Sequence, residues 1–184
     1  MRLRDRTEVI WSVGSMELRE LEGPVIVMMG VAGTGKSTVG RALADATGWV
    51  FLDADDFHSE ENLQKMRRGV PLTDVDRWPW LRELSEKLRT YQAKGEGCIL
   101  ACSALKQSYR TLLEDAAPGA YWFFLNGPTD LIESRLRLRS DHYMRADMLQ
   151  SQIRDLEQPS RAIYLDIRQS VEELLHCVRN NLVD

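Results

Sequence analysis

Apolar residues fall into five short unbroken runs: Val25–Met29, Val50–Leu52, Cys98–Cys102, Tyr121–Leu125 and Ala162–Ile167. Runs of this kind, without apolar–polar alternation, predict strands covered on both faces, as in a parallel sheet. The segments between them carry helical spacing. Ser37–Thr47 sets Val39, Leu43 and Ala46 on one side, and Gly48 follows as a C-cap. Trp80–Tyr91 sets Leu81, Leu84 and Leu88 on one stripe, with Arg82, Glu83, Glu86 and Lys87 facing away. Thr129–Arg139 and Val171–Asn180 are the two further predicted helices. Strands alternating with helices predict an α/β fold: a five-stranded parallel sheet, right-handed crossovers and helices on both faces.

Two stretches break the alternation. Residues 55–80 are rich in charge, Gly and Pro, and residues 139–160 are polar and Arg-bearing. Long excursions from a compact α/β core serve most often as substrate-binding segments or lids. The chain shows no internal repeat and no dividing linker, so residues 23–184 are expected to form a single domain. Residues 1–22 form an N-terminal extension of unassigned role, either preceding a start at Met16 or forming a short surface helix.

Composition narrows the function. A net charge of −4 over 184 residues disfavours a general polyanion binder, so no nucleic-acid partner is expected. No apolar run approaches the ~20 residues of a membrane span, so no membrane partner is expected either. Three cysteines, Cys98, Cys102 and Cys177, lack CxxC and zinc spacing and are read as reduced packing residues. The N-terminus lacks a sustained apolar segment of signal type, and the expected location is the cytoplasm.

Directly after the first predicted strand comes GVAGTGKS, Gly30–Ser37, and then a helical segment. It matches GxxxxGK[ST] in the strand–loop–helix context in which that pattern has structural meaning. The backbone of Gly30, Val31, Ala32, Gly33, Thr34, Gly35, Lys36, Ser37 and Thr38 is the expected nucleotide cradle. Glycines let successive N–H groups converge on an anion, and the helix N-terminus adds its dipole. Lys36 would reach the β and γ phosphates of ATP, and the Ser37 hydroxyl would bind Mg²⁺. The motif alone leaves open a kinase, a GTPase, a motor ATPase or a silent nucleotide-binding module.

The second predicted strand ends in FLDADD. Asp53 and Asp55, two residues apart on a strand, would project from one face toward the phosphates. One would order the Mg²⁺ water shell and the other would accept a proton from an attacking hydroxyl. The competing explanation is a solvated acidic strand end, or a helix N-cap at Asp56.

From Asp53 to Leu81, DADDFHSEENLQKMRRGVPLTDVDRWPWL resembles the signature of the gluconokinases. Its landmarks include Asp55, His58, Asn62, Lys65, Gly69, Asp74, Asp76, Arg77 and Trp80. CSALKQSYR, from Cys102, and ESRLRLRSDHYMRADMLQSQIRDLEQP, from Glu133, are similar to the family's strand-end segment and to its lid with the following helix. The resemblance runs from Val25 almost to the C-terminus. It implies a three-layer P-loop kinase fold related to shikimate kinase, with a substrate-binding insertion at about 55–80 and a lid at about 137–150. It further implies ATP-dependent phosphorylation of D-gluconate at its terminal hydroxyl, and a homodimer.

By the same resemblance Asp55 would be the catalytic base and Asp53 the ligand of Mg²⁺-bound water. Arg77 would grip the sugar-acid carboxylate through two parallel bonds, unless it only pairs with Asp74 or Asp76. His58, Lys106 and His142 are further substrate-binding candidates; His58 could instead cap the next helix, and Lys106 could lie on a solvated helix start. Arg135 and Arg139, four residues apart on one predicted helix face, would close on the transferring phosphoryl group and help exclude water. The chain departs from the family pattern at Ser59 (usually Pro), Asp141 (Gly), Tyr143 (Phe), Ile153 (Phe) and Arg154 (Glu). These changes bear on the lid and on acceptor choice. The alternatives are a kinase of another sugar acid or a shikimate-like hydroxy acid, and a nucleotide-binding regulatory module without phosphotransfer.

Overall fold

The computed structural model of the protein describes residues 23–138 and 146–183. Its strands are β1 (Val25–Met29), β2 (Val50–Asp53), β3 (Cys98–Ala101), β4 (Tyr121–Asn126) and β5 (Ile163–Asp166). They form one sheet in the order β2-β3-β1-β4-β5, and every pairing is parallel. Val25 stands opposite Cys98, and Ile26 opposite Tyr121. The helices among the described residues are α1 (Lys36–Thr47), α2 (Glu60–Arg67), α3 (Asp74–Lys94), α4 (Gln107–Ala116), α5 (Thr129–Arg137), α6 (Ala146–Asp155) and α7 (Val171–Val183).

The unbroken apolar runs divide by parity between two cores. Ile26, Met28, Ile99, Phe123 and Leu165 pack with Val39 and Leu43 of α1 and with Leu174 and Val178 of α7. Val25, Val27, Met29, Leu100 and Phe124 face the other way, against Leu81, Leu84 and Leu88 of α3 and Tyr109 and Leu113 of α4. This is the three-layer arrangement expected of a sheet buried on both sides. Each fully buried aliphatic side chain contributes about 1.5–3 kcal/mol. The central β1, buried along its whole length, is therefore a rigid base for the loop at its carboxyl end. The connections out of β1 and β3 diverge there, opening a crevice at the strand ends.

Several predicted boundaries shift. The helix expected from Trp80 begins at Asp74, six residues earlier, and carries Pro79 inside it. Thr73 and Asp76 form a reciprocal capping box that sets this start. The carbonyl left without a partner by the proline belongs to Val75, whose residue is 81% exposed and open to water. Helices α2 and α4 were not singled out by the hydrophobic pattern. The helix from Thr129 stops at Arg137 rather than Arg139, and the last helix runs to Val183 rather than Asn180.

The acidic pair also needs correction. Strand β2 ends at Asp53, and Ala54–Phe57 turn into a short 3₁₀ helix, so Asp55 is not on the strand. The Asp53 carboxylate caps that turn by accepting from the Asp55 N–H at 3.3 Å. Asp56 lies within the turn and caps nothing; Ser59 caps α2, accepting from the Asn62 N–H. A serine in place of the family's usual proline thus has a structural use.

Candidate active site

The loop after β1 needs its glycines. Gly30, Gly33 and Gly35 have φ of +138°, +85° and +98°. A Cβ on Gly33 would also lie 2.8 Å from the Leu136 side chain. Gly35 is the N-cap of α1, and no side chain caps the helix there. The first-turn amides of α1 are therefore left for a ligand, which is the arrangement of an anion site. Inside the loop the buried Thr34 hydroxyl and the Lys36 ammonium both bond the Val31 carbonyl, at 2.9 and 3.1 Å. These bonds hold the loop's curvature before any ligand arrives.

The loop forms one wall of an open cleft. Its floor holds Ser37, Asp53 and Asp55. The Ser37 hydroxyl donates to Asp53 Oδ2 at 2.7 Å, and the exposed Arg41 guanidinium stands 3.7 Å from the same carboxylate. This hydroxyl and carboxylate suit Mg²⁺, a hard cation that takes one or two protein oxygens and fills its octahedron with phosphate and water. Among the described residues no group of three or more acidic, His or Cys side chains is placed to hold a metal.

The opposite wall holds His58, Trp80 and Arg77. His58 stacks on Trp80 with ring centroids 4.3 Å apart, and Trp80 is tied to the Ala54 carbonyl at 2.7 Å. Burial keeps the imidazole below its ordinary pKa, against the pull of nearby Asp55 and with the push of Arg77. Its Nε2 stands 4.0 Å from Asp55 Oδ1, and its buried Nδ1 has no hydrogen-bond partner among the described residues. Arg77, 9% exposed, donates from one terminal nitrogen to the Tyr109 hydroxyl at 3.3 Å and to Asp155 at 3.2 Å. Among the described residues its Nε and second terminal nitrogen make no hydrogen bond, and that edge is left to a ligand in the cleft.

Neither Asp74 nor Asp76 pairs with Arg77. Asp74 accepts from Lys106 at 2.7 Å and Tyr109 at 2.5 Å, which pulls its pKa down. Asp76 accepts from Lys65 at 2.6 Å and from the Thr73 backbone at 2.9 Å, which brings it to about 2. Both aspartates are structural, one bracing α4 and one bracing α2 against the start of α3.

Most of the predicted residues converge on the cleft. Ala32, Gly33, Gly35, Lys36, Ser37, Asp53, Asp55, His58 and Arg77 line it, with Val31 and Thr34 bracing the loop behind. Two do not. Lys106 is spent on Asp74, and Arg135 donates to the Ile167 carbonyl at 2.7 Å near the end of β5; neither is part of the cleft wall. Arg139 and His142 lie outside the described residues, and with α5 ending at Arg137 the face shared by Arg135 and Arg139 is not observed. The spacing arguments missed Ser103, Ser151, Gln152 and, behind Arg77, Tyr109 and Asp155. No local pattern marks them, because their partners are distant in the chain. The buried Cys102 thiol beneath the cleft is pushed up to about 12 by desolvation and is no nucleophile.

A phosphate loop on a five-stranded parallel sheet, facing an acidic turn and a buried arginine, defines a P-loop kinase for a small acceptor. The family profile described as an AAA domain matches residues 25–176. A gluconokinase from Arabidopsis thaliana is 40% identical over 183 residues, covering 89% of this chain and 96% of its own. The unliganded structure of a sugar kinase from Janibacter sp. HTCC2649 superposes with a TM-score of 0.81 at 44% identity, covering 87% of this chain and 94% of that one. A gluconokinase structure from Sinorhizobium meliloti 1021 gives 0.75 at 40% identity, covering 89% and 97%. The chain belongs to the gluconokinase family.

Proposed function

We propose that the protein transfers the γ-phosphoryl group of ATP to the terminal hydroxyl of D-gluconate, giving 6-phospho-D-gluconate and ADP. The observation that carries this reading is the pairing of walls across one cleft. The uncapped first-turn amides of α1 face a carboxylate base and a buried guanidinium with a free edge.

The triphosphate lies on the loop, with Lys36 released from the Val31 carbonyl to meet its β and γ oxygens. Ser37 and Asp53 would hold Mg²⁺, which neutralises charge on the β and γ phosphates. Arg77 takes the gluconate carboxylate on its open edge, a planar charge-assisted contact that aims the far end of the polyol at the loop. Asp55 accepts the proton of the terminal hydroxyl as its oxygen bonds to the γ phosphorus. The bond from that phosphorus to the β–γ bridging oxygen breaks, and ADP leaves. Inversion at phosphorus follows from the in-line geometry. His58, neutral through burial, forms the apolar side of the acceptor wall together with Trp80 and contributes no charge to compete with Arg77. The reaction belongs in the cytoplasm, where ATP is supplied and the buried thiols of Cys98 and Cys102 stay reduced.

Mg²⁺-ATP-dependent ADP release, measured with gluconate beside shikimate, glycerate and other sugar acids, tests the assignment. Turnover on gluconate far above the rest is the expected result. A folded, ATP-binding sample that prefers another acid would replace the acceptor, and one with no acceptor-dependent turnover would leave only a nucleotide-binding module.

A further inference from the structure

Helix α6 touches both walls of the cleft. The Gln152 side-chain oxygen accepts from the Ala32 N–H at 2.7 Å, across 120 residues of sequence. The Asp155 carboxylate accepts from Arg77 at 3.2 Å, across 78. Three positions apart, the two side chains share one face of the helix. Ala32 belongs to the phosphate loop, and Arg77 is the acceptor-side guanidinium. One helix face therefore sets a carboxamide oxygen on a phosphate-loop amide and a carboxylate on the carboxylate-binding arginine. Each group has the chemistry of the ligand atom expected at its partner.

We propose that α6 is a clasp across the two walls, with Gln152 on a phosphate-loop amide and Asp155 sharing the charge of Arg77 from behind, which nucleotide and acceptor each loosen and through which they bind cooperatively. The inference rests on the gluconokinase reading for the identity of the second ligand. A phosphate oxygen makes a charge-assisted bond to a backbone N–H, about twice as strong as the neutral amide bond it replaces. Nucleotide thus takes Ala32 from Gln152 and releases α6 from the loop. The same movement loosens Asp155 from Arg77 and leaves more of its positive charge to the incoming carboxylate on the open edge. Gluconate, in turn, draws Arg77 toward its open edge, loosens Asp155 behind it and weakens the hold of Gln152 on the loop. A ligand that meets a partly occupied site binds more weakly by the unoccupied fraction, and the first ligand to bind removes that handicap for the second.

The test is calorimetric binding on the full chain, using a non-hydrolysable β,γ-imido ATP analogue and gluconate, each alone and each with the other saturating. In the native protein each ligand tightens the other by about 3- to 10-fold. Gln152→Ala, which needs no acceptor for its readout, binds the analogue alone about 2- to 10-fold more tightly, the worth of one neutral hydrogen bond. Asp155→Asn keeps the shape and removes the competing charge; it binds gluconate alone about 2- to 5-fold more tightly. In both variants the mutual tightening shrinks toward unity. Weaker or unchanged analogue binding by Gln152→Ala overturns the clasp, as does weaker gluconate binding by Asp155→Asn with the mutual tightening intact. The second outcome would make Asp155 a mere support of Arg77. If native protein releases ADP with gluconate but shows no mutual tightening, the clasp fails and the kinase assignment stands. If gluconate neither binds nor turns over, the acceptor assignment fails, and the analogue arm still decides the loop contact.

Discussion

The two walls of the cleft are built by opposite means. The phosphate loop is made of backbone: nine consecutive residues from Gly30 to Thr38, shaped by three glycines at positive φ and aimed by one helix start. The acceptor wall is made of side chains from the 54–57 turn, α3, α4 and α6, held by ion pairs and stacking: Arg77 with Asp155, Lys106 with Asp74, His58 on Trp80. A backbone site tolerates exchange of most of its side chains and recognises what every nucleotide carries. A side-chain site is specific and changes whenever one partner changes. Selectivity in this protein therefore belongs to the acceptor wall, and generic phosphate affinity to the loop.

Asp55 sits where the walls meet, and its replacement is the most damaging. Asp55→Asn lowers turnover by about 10²–10⁴-fold while nucleotide binding stays near normal; near-normal steady-state turnover would remove Asp55 as the base. Arg77→Ala breaks only the acceptor wall. The KM for gluconate rises by about 10- to 100-fold with the KM for ATP little changed, the worth of a charge-assisted pair. Arg77→Lys recovers only part of this, because an ammonium cannot make the paired contact. An equal rise in both KM values would mean that the walls are not separable.

Gly33→Ala breaks only the loop. Its Cβ meets Leu136 at 2.8 Å and its φ of +85° is strained for alanine, so nucleotide binding weakens about tenfold. Gluconate binding measured without nucleotide should be unaffected. The smallest effect lies in the scaffold of the acceptor wall. Asp76, held at about 2 chiefly by Lys65, contributes stability that is complete above about pH 4 and is lost as pH falls through 2. Asp76→Asn should lower the melting temperature at pH 6, by about 1 kcal/mol of stability, and lose that penalty near pH 2. A pH-independent difference would reassign the effect to the lost capping box.

The two walls were unequally legible in the chain. The strands and the loop are local: five apolar runs and one eight-residue motif place β1 and its glycines to within a residue or two. The expected start of α3 failed because Pro79 reads as a boundary, whereas the capping box at Thr73 and a solvated Val75 carbonyl accommodate it. Asp55 was found for a reason that the structure replaces. It reaches the cleft through a 3₁₀ turn capped by Asp53, not through the alternation of a strand. Lys106 and Arg135 were plausible cations by type and position, yet nearer partners, Asp74 and the Ile167 carbonyl, hold them.

By itself the sequence determined what short spacing encodes. Unbroken apolar runs require burial on both faces, and glycines at fixed intervals permit a curve that other residues resist, because φ/ψ sterics and side-chain direction act over a few residues. Only the tertiary structure decided which charges stand free. The bond of Gln152 to Ala32 and the pair of Asp155 with Arg77 join residues far apart in sequence, and packing brings them within hydrogen-bond reach. A charge is available to a ligand only after its neighbours have been chosen, and that choice is made by the folded shape.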